Sequence, residues 1–390
     1  MNRSRRTLCR SSVILCVSAS LLAILSAATN DAASKQKSPE DVAPLLKDLV
    51  AKHKVPGLVA LVLKNNDVVG LGAAGVRAVG HDAPITVTDK FHLGSCTKAM
   101  TATLCARLVE RDKLKWNSTL ADVFPDFRDS MHADFRGVTL EQLLSHRSGL
   151  PGHANRDDLW SRLWAHKGST REGRRLALES LLKHPPESAP GTQFIYSNMG
   201  YMLAGHMAEQ VTDKSWEELM RELIFKPLKM ASADFGAPGT AGKFDEPCGH
   251  KTDGKCVEPG PAADNPPSLG PAGTVHARME DWARFVALHL RGARGDAPPL
   301  LRTETFARLH APLGADKNYA LGWSTTEREW AQGPVLTHSG SNTMWFCVVW
   351  IAPKRDFAVL IACNQGGGSA ERACDDAAGA LIARFLTEKK

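Results

Sequence analysis

The heptapeptide "GSCTKAM", Gly94 to Met100, sets a hydroxyl and an amine three residues apart in a stretch that otherwise reads as apolar helix. Residues at that spacing share a helix face, so Ser95 Oγ and Lys98 Nζ can meet. A helix beginning at Ser95 would also put the hydroxyl at the positive end of the helix dipole, where an oxyanion is stabilised. Burial disfavours an ammonium, lowers its pKa and suits the amine to take the serine proton. Alone, the pair also reads as a capping serine followed by a lysine whose charged head reaches for water. Cys96 adjoins the serine, but Ser95 has the helical spacing to Lys98. Two further stretches offer matching chemistry. "FIYSNMGY" supplies Tyr196 and Asn198, and "LTHSGSN" supplies His338, Ser339, Gly340 and Ser341 ahead of the β-rich "FCVVWIAP". Singly, Tyr196 reads as a core aromatic and Asn198 as a turn residue.

Taken in order, the three stretches follow the pattern S-x-x-K, Y-x-N, H-x-G. In this the chain resembles the serine hydrolase superfamily of class C β-lactamases, DD-peptidases (penicillin-binding proteins) and related esterases and D-amino-acid peptidases. "VTLEQLLSHRSGLP", "PGTQFIYSNMGYMLAGHMAEQVT" and "IFKPLKM" extend the likeness, which covers roughly residues 39–385. The resemblance implies that Ser95 is a nucleophile forming an acyl-enzyme, with Lys98 as its proton partner. It implies that Tyr196, its phenol partly ionised by Lys98, shuttles the proton to the leaving group. Asn198 would bind the substrate's amide side chain, the backbone N–H groups of Ser95 and Ser341 would form the oxyanion hole, and Ser339 and Gly340 would contact the substrate beside Ser341. His338 departs from the β-lactamases of this class, which carry lysine there; histidine is charged only in part near neutral pH. That argues for an esterase or peptidase over an efficient β-lactamase. His146 in "LLSHRSGLP" is expected to be hydrogen-bonded scaffold. Trp345 and Trp350 read as core, with Trp345 near enough in sequence to wall the cleft. A non-catalytic descendant that binds peptidoglycan or acylated ligands is the alternative from another class; the paired proton-transfer groups speak against it.

The elements that must position these residues are legible in outline. "PEDVAPLLKDLVAKH" reads as helix, leading into a hairpin over "GLVALVLKNNDVVGLGAAGV" whose turn falls at Asn65, Asn66 and Asp67. Ser95 to Arg111 is apolar nearly all round, the mark of a buried helix. Helical patterns dominate the middle. From about Phe235 the character changes to a Pro- and Gly-rich loop, "EPGPAADNPPSLGPAG", an amphipathic helix, two β-rich runs and a closing helix. The expected fold is α/β (α+β), β-lactamase/DD-peptidase-like: an antiparallel sheet flanked by helices, completed by both chain ends, with a mostly helical domain inserted. The boundaries fall at 39–90 and 225–390 for the α/β domain and 91–224 for the helical one.

The first residues serve another purpose. Arg3, Arg5, Arg6 and Arg10 precede the apolar run "VILCVSASLLAIL" and small residues at 26–28, the pattern of a removable export signal over 1–28, followed by a flexible lead-in over 29–38. "SRRTLCR" resembles a twin-arginine signal, which places the mature chain in a periplasmic or extracellular space; the alternative is an uncleaved anchor. Removing those four arginines from a net charge of +6 leaves +2, which gives no argument for nucleic acid. No other stretch is long and apolar enough to span a membrane. Nine cysteines less Cys9 and Cys16 leave seven, so at least one thiol stays free. Cys248 and Cys256 bracket a tight Asp253-Gly254 turn and read either as a disulfide or as two thiols; Cys363 and Cys374 read as core. With no H-E-x-x-H and no paired C-x-x-C, neither metal nor cofactor is expected. The partner is a small-molecule or peptide substrate, and oligomeric state is open.

Overall fold

The computed structural model describes residues 38–152, 156–296, 299–314 and 318–386. The export segment and, apart from Ser38, the lead-in lie outside these residues, and from Ser38 onward the chain forms one compact unit. It enters through a two-residue strand, β1 (Glu40–Asp41), and helix α1 (Ala43–His53), then folds β2 (Gly57–Lys64) onto β3 (Asp67–Gly75). The hairpin turn is Asn65-Asn66, both at positive φ, the conformation that matches a two-residue turn to the strand twist. The far end of the chain supplies β4 (Ser324–Arg328), β5 (Gly333–Ser341), β6 (Phe346–Ala352) and β7 (Phe357–Cys363). All seven join in the order β1-β3-β2-β7-β6-β5-β4. Pairing is antiparallel except between β1 and β3, and β7 against β2 is where the two chain ends meet.

Successive side chains on a strand face opposite ways, so each face of this sheet builds its own core. Leu58, Ala60, Val62, Val359 and Ile361 pack with α1 and the closing helix, which also buries Cys374. Val59, Leu61, Ala358 and Leu360 pack with the rest of the helices. Those that matter for the site are α2 (Thr97–Glu110), α3 (Asn198–Thr212) and α4 (Met279–Arg294); the closing helix is α5 (Gly368–Leu386). Between β3 and β4 the described chain is largely helical. Trp345 is fully buried edge-on to Phe91, so it is core and does not wall the cleft. Cys363 is likewise buried on β7. Cys248 and Cys256 are joined as a disulfide across the small hairpin of 249–250 and 256–257. Five cysteines among the described residues are free thiols.

The Pro- and Gly-rich loop contains short helical turns at 261–263, 267–269 and 270–273. Its anchor is a buried ion cluster. Arg174, fully buried, donates to Glu209 Oε1 at 2.6 Å, to Glu217 and, through Nε, to the Ser268 carbonyl at 3.1 Å. Burial alone would push the Glu209 carboxyl up, but Arg174 and His206 overcome it and hold it below its ordinary range. Gly205 lets the loop close onto α3, since a Cβ there would fall 2.4 Å from Pro271 Cγ. Thr101 Oγ1 then donates to the Pro271 carbonyl at 2.7 Å and ties the loop to α2. Removing the cation strands a buried carboxylate, so Arg174→Met should cost about 3–5 kcal/mol of stability. Urea unfolding of the full chain measures it, and a loss below about 1 kcal/mol would contradict the cluster's role.

Candidate active site

Ser95 lies in a single 3-10 turn, Gly94–Cys96, and regular α-helix begins only at Thr97, two residues later than a helix starting at the serine. The pair still meets, Lys98 Nζ standing 3.0 Å from Ser95 Oγ. Lys98 is fully buried, and its other contacts are Asn198 Oδ1 at 2.7 Å and the Ala272 carbonyl at 2.8 Å. Burial pulls its pKa from 10.5 down to about 7. Three contacts satisfy the three protons of an ammonium. Two of them, an amide oxygen and a backbone carbonyl, can only accept. When the amine is neutral its lone pair therefore has one useful direction, towards the Ser95 hydroxyl.

Asn198 reaches the amine because α3 starts there. Ser197 caps the helix, its Oγ accepting from Gly200 N at 3.2 Å and donating to the Pro151 carbonyl at 2.7 Å. Tyr196, just before the cap, lays its ring 4.9 Å from Lys98 Nζ. The residue is 37 % exposed, yet its phenol group is well buried, and burial raises its pKa although a hydrogen bond with Ser95 works against the rise. That direction works against the partly ionised tyrosine expected above. Lys98 gives up its proton first. His146 sits beneath as scaffold: its Nδ1 accepts from Ser197 N at 3.0 Å, and its ring contacts Tyr196, Tyr201 and Tyr319.

Two glycines bring the nucleophile turn against β5. A Cβ on Gly94, which has φ of +46°, would fall 2.3 Å from Ser341 N; one on Gly340 would fall 2.9 Å from Ser95 N. The backbones that carry the Ser95 and Ser341 amides therefore touch. Ser339 and Ser341 are exposed on β5, while His338 and Gly340 are buried. His338 Nδ1 lies 2.6 Å from the Ser339 carbonyl, which can only accept, so Nδ1 carries a proton, and Nε2 lies 3.1 Å from Tyr319 Oη. Cys96 is buried behind the turn, 3.6 Å from Cys347 Sγ.

Two participants were not singled out from sequence: Tyr319 and the Ala272 carbonyl. Tyr319 left one trace, since the chain has only three tyrosines and all three gather around His146. Among the described residues, the grouping suited in type to a metal is Cys248, His250 and Cys256. Its sulfurs are bonded to each other, and His250 is engaged by Asn364 O at 2.7 Å and Val79 N at 3.1 Å. It does not fit an ion. A groove of about 950 Å³ beside α4, β4 and β5 contains none of the residues above.

The profile of the family described as Beta-lactamase matches residues 42–384. The chain belongs to the Beta-lactamase family. Among relatives in it, penicillin-binding protein 4 of Amycolatopsis lactamdurans is 28% identical over 82% of this chain and 83% of its own length. Unguisins hydrolase of Aspergillus campestris is 25% identical over 90% of this chain and 65% of its own. The octameric penicillin-binding protein homologue of Pyrococcus abyssi superposes with a TM-score of 0.71 at 21% identity, covering 89% of this chain and 78% of that one. SurE superposes with a TM-score of 0.68 at 25% identity, covering 88% and 74%. The fold is thus the family's, a seven-stranded sheet flanked by helices.

Placing a carboxylate against the amine should favour its ammonium form. Asn198→Asp is accordingly expected to move the acid limb of Ser95 labelling by a fluorophosphonate to higher pH by one unit or more, with about tenfold slower labelling at pH 7. Unchanged pH dependence would separate Asn198 from the titration of Lys98.

Proposed function

We propose that this family member is an exported serine hydrolase that forms an acyl-enzyme on Ser95 and cleaves a small ester, amide or D-amino-acid peptide. One observation carries the reading: a buried lysine with pKa about 7 for which, among the hydrogen-bond partners in the described residues, the Ser95 hydroxyl is the one able to surrender a proton. Ser95 Oγ attacks the acyl carbon as its proton passes to Lys98 Nζ. The carbonyl oxygen becomes an oxyanion facing the Ser95 and Ser341 amides. Tyr196, with its neutral phenol, hands a proton to the leaving alcohol or amine and recovers one from Lys98, and the bond to the leaving group breaks. Water then attacks the ester on Ser95 by the same proton route and frees the acid. Export is supported by the arginine-rich start, apolar run and small residues at the N-terminus.

The second reading is a DD-carboxypeptidase or β-lactamase, favoured by the likeness to a penicillin-binding protein. His338 weighs against its lactamase form, because the β-lactamases of this class carry a lysine there, whose charge is permanent where a histidine's is not. A purely binding descendant would have no use for the Ser95–Lys98 contact. The test is intact mass after exposure to a fluorophosphonate and, separately, to a penicillin. The fluorophosphonate should add one label that Ser95→Ala abolishes, and a penicillin adduct that persists for hours would favour the peptidase form. Tyr196→Phe should slow ester turnover by about 10²–10⁴-fold. Labelling that survives Ser95→Ala, or full turnover in either variant, contradicts the assignment.

A further inference from the structure

Two buried titratable side chains lie directly behind the nucleophile turn and take no part in the proton route above. His92 is fully buried and Asp264 is 7 % exposed. Gly94 N donates to His92 Nδ1 at 3.1 Å, so that nitrogen is an acceptor and the ring proton sits on Nε2. Nε2 lies 2.9 Å from Asp264 Oδ1, with its N–H off the line of a well-formed hydrogen bond. The same oxygen accepts from Asn342 Nδ2 at 3.1 Å and from Asn265 N at 2.7 Å. Asn342 directly follows Ser341. Asn265 Nδ2 in turn donates to the Gly273 carbonyl at 3.4 Å, and a Cβ on Gly273 would come 3.5 Å from Ser95 N.

One carboxylate oxygen thus gathers the turn at 92–94, the loop at 264–265 and the residue after Ser341. The other, Oδ2, is buried with no hydrogen-bond partner. A half-used buried carboxylate costs stability and calls for a role beyond filling space. Oxyanion donors stabilise a transition state only when both are fixed where the negative charge develops. Building on the serine hydrolase reading, we propose that His92 and Asp264 are positioning residues that hold the Ser95 and Ser341 amides in register for the oxyanion. His92 acts through Gly94 on the first amide, and Asp264 acts through Asn342 on the second.

The test uses the full chain, a simple ester substrate and the matching thionoester, whose sulfur is a poor hydrogen-bond acceptor and so gains little from an oxyanion hole. Asp264→Asn, close to isosteric, should lower kcat on the ester by about 10–100-fold, the scale of a weakened oxyanion donor. KM should stay within about threefold, and the ester-to-thionoester rate ratio should shrink about tenfold. His92→Asn, whose Oδ1 can take the place of Nδ1 as acceptor for Gly94 N, should retain more ester activity than His92→Leu, which has no acceptor. Should the His92 variants fail to fold, Asn342→Ala read by the same ratio takes their place. Ester and thionoester rates falling in parallel would mean general packing and overturn the proposal. If the unaltered chain neither turns over the ester nor takes a fluorophosphonate on Ser95, the serine hydrolase reading itself falls, and this proposal with it.

Discussion

A lysine amine removed from water, with three neighbours of which one can give a proton back, is the constraint on which the rest of this molecule turns. Moving a lysine pKa from 10.5 to about 7 corresponds to roughly 5 kcal/mol withdrawn from the ammonium. The folded chain holds that proton less tightly than the unfolded chain does. The cost to stability is therefore full below about pH 7, shrinks as pH rises towards 10.5 and is gone above it. A fold carries such a penalty only if the surroundings hold the amine in place, and here they come from distant parts of the chain.

Each acceptor around Lys98 belongs to a separately anchored element. Asn198 is fixed by the serine-capped start of α3. The Ala272 carbonyl belongs to the long loop, which Thr101 and the buried Arg174 cluster pin to the helices. The nucleophile turn is pressed on β5 through two glycines where any side chain would collide. β5 itself is held in register by β6 and β4. The sheet, the helices and the loop thus meet at one amine, and the disposition of the protons follows from that meeting. Burial of the phenol outweighs its contact with Ser95 and favours the protonated Tyr196; burial with no carboxylate among its hydrogen-bond partners lets Lys98 lose its proton.

Sequence reading reached the frame because the frame depends on local signals. The two asparagines at the β2–β3 turn, the apolar runs of β6 and β7 and the all-round apolar α2 each announce their element. The site was legible where spacing carries the chemistry, as in Ser95 and Lys98, or where order along the chain matches the family's. It was not legible where contact is made across the fold by groups with no pattern of their own. The Ala272 carbonyl is a backbone atom in a loop of prolines and glycines. Tyr319 and Asp264 stand far in sequence from the residues they touch. Proximity to a lysine favours an ionised Tyr196, whereas the burial that opposes it has no signature in spacing.

The most direct test of the account is the titration of Lys98 itself, followed by the Cε and Nζ resonances of lysine-labelled chain and assigned by the signal that Lys98→Met removes. A midpoint near pH 7 is the predicted result. A midpoint near 10 would leave the amine an ammonium at working pH, unable to take the serine proton, and would contradict the central claim.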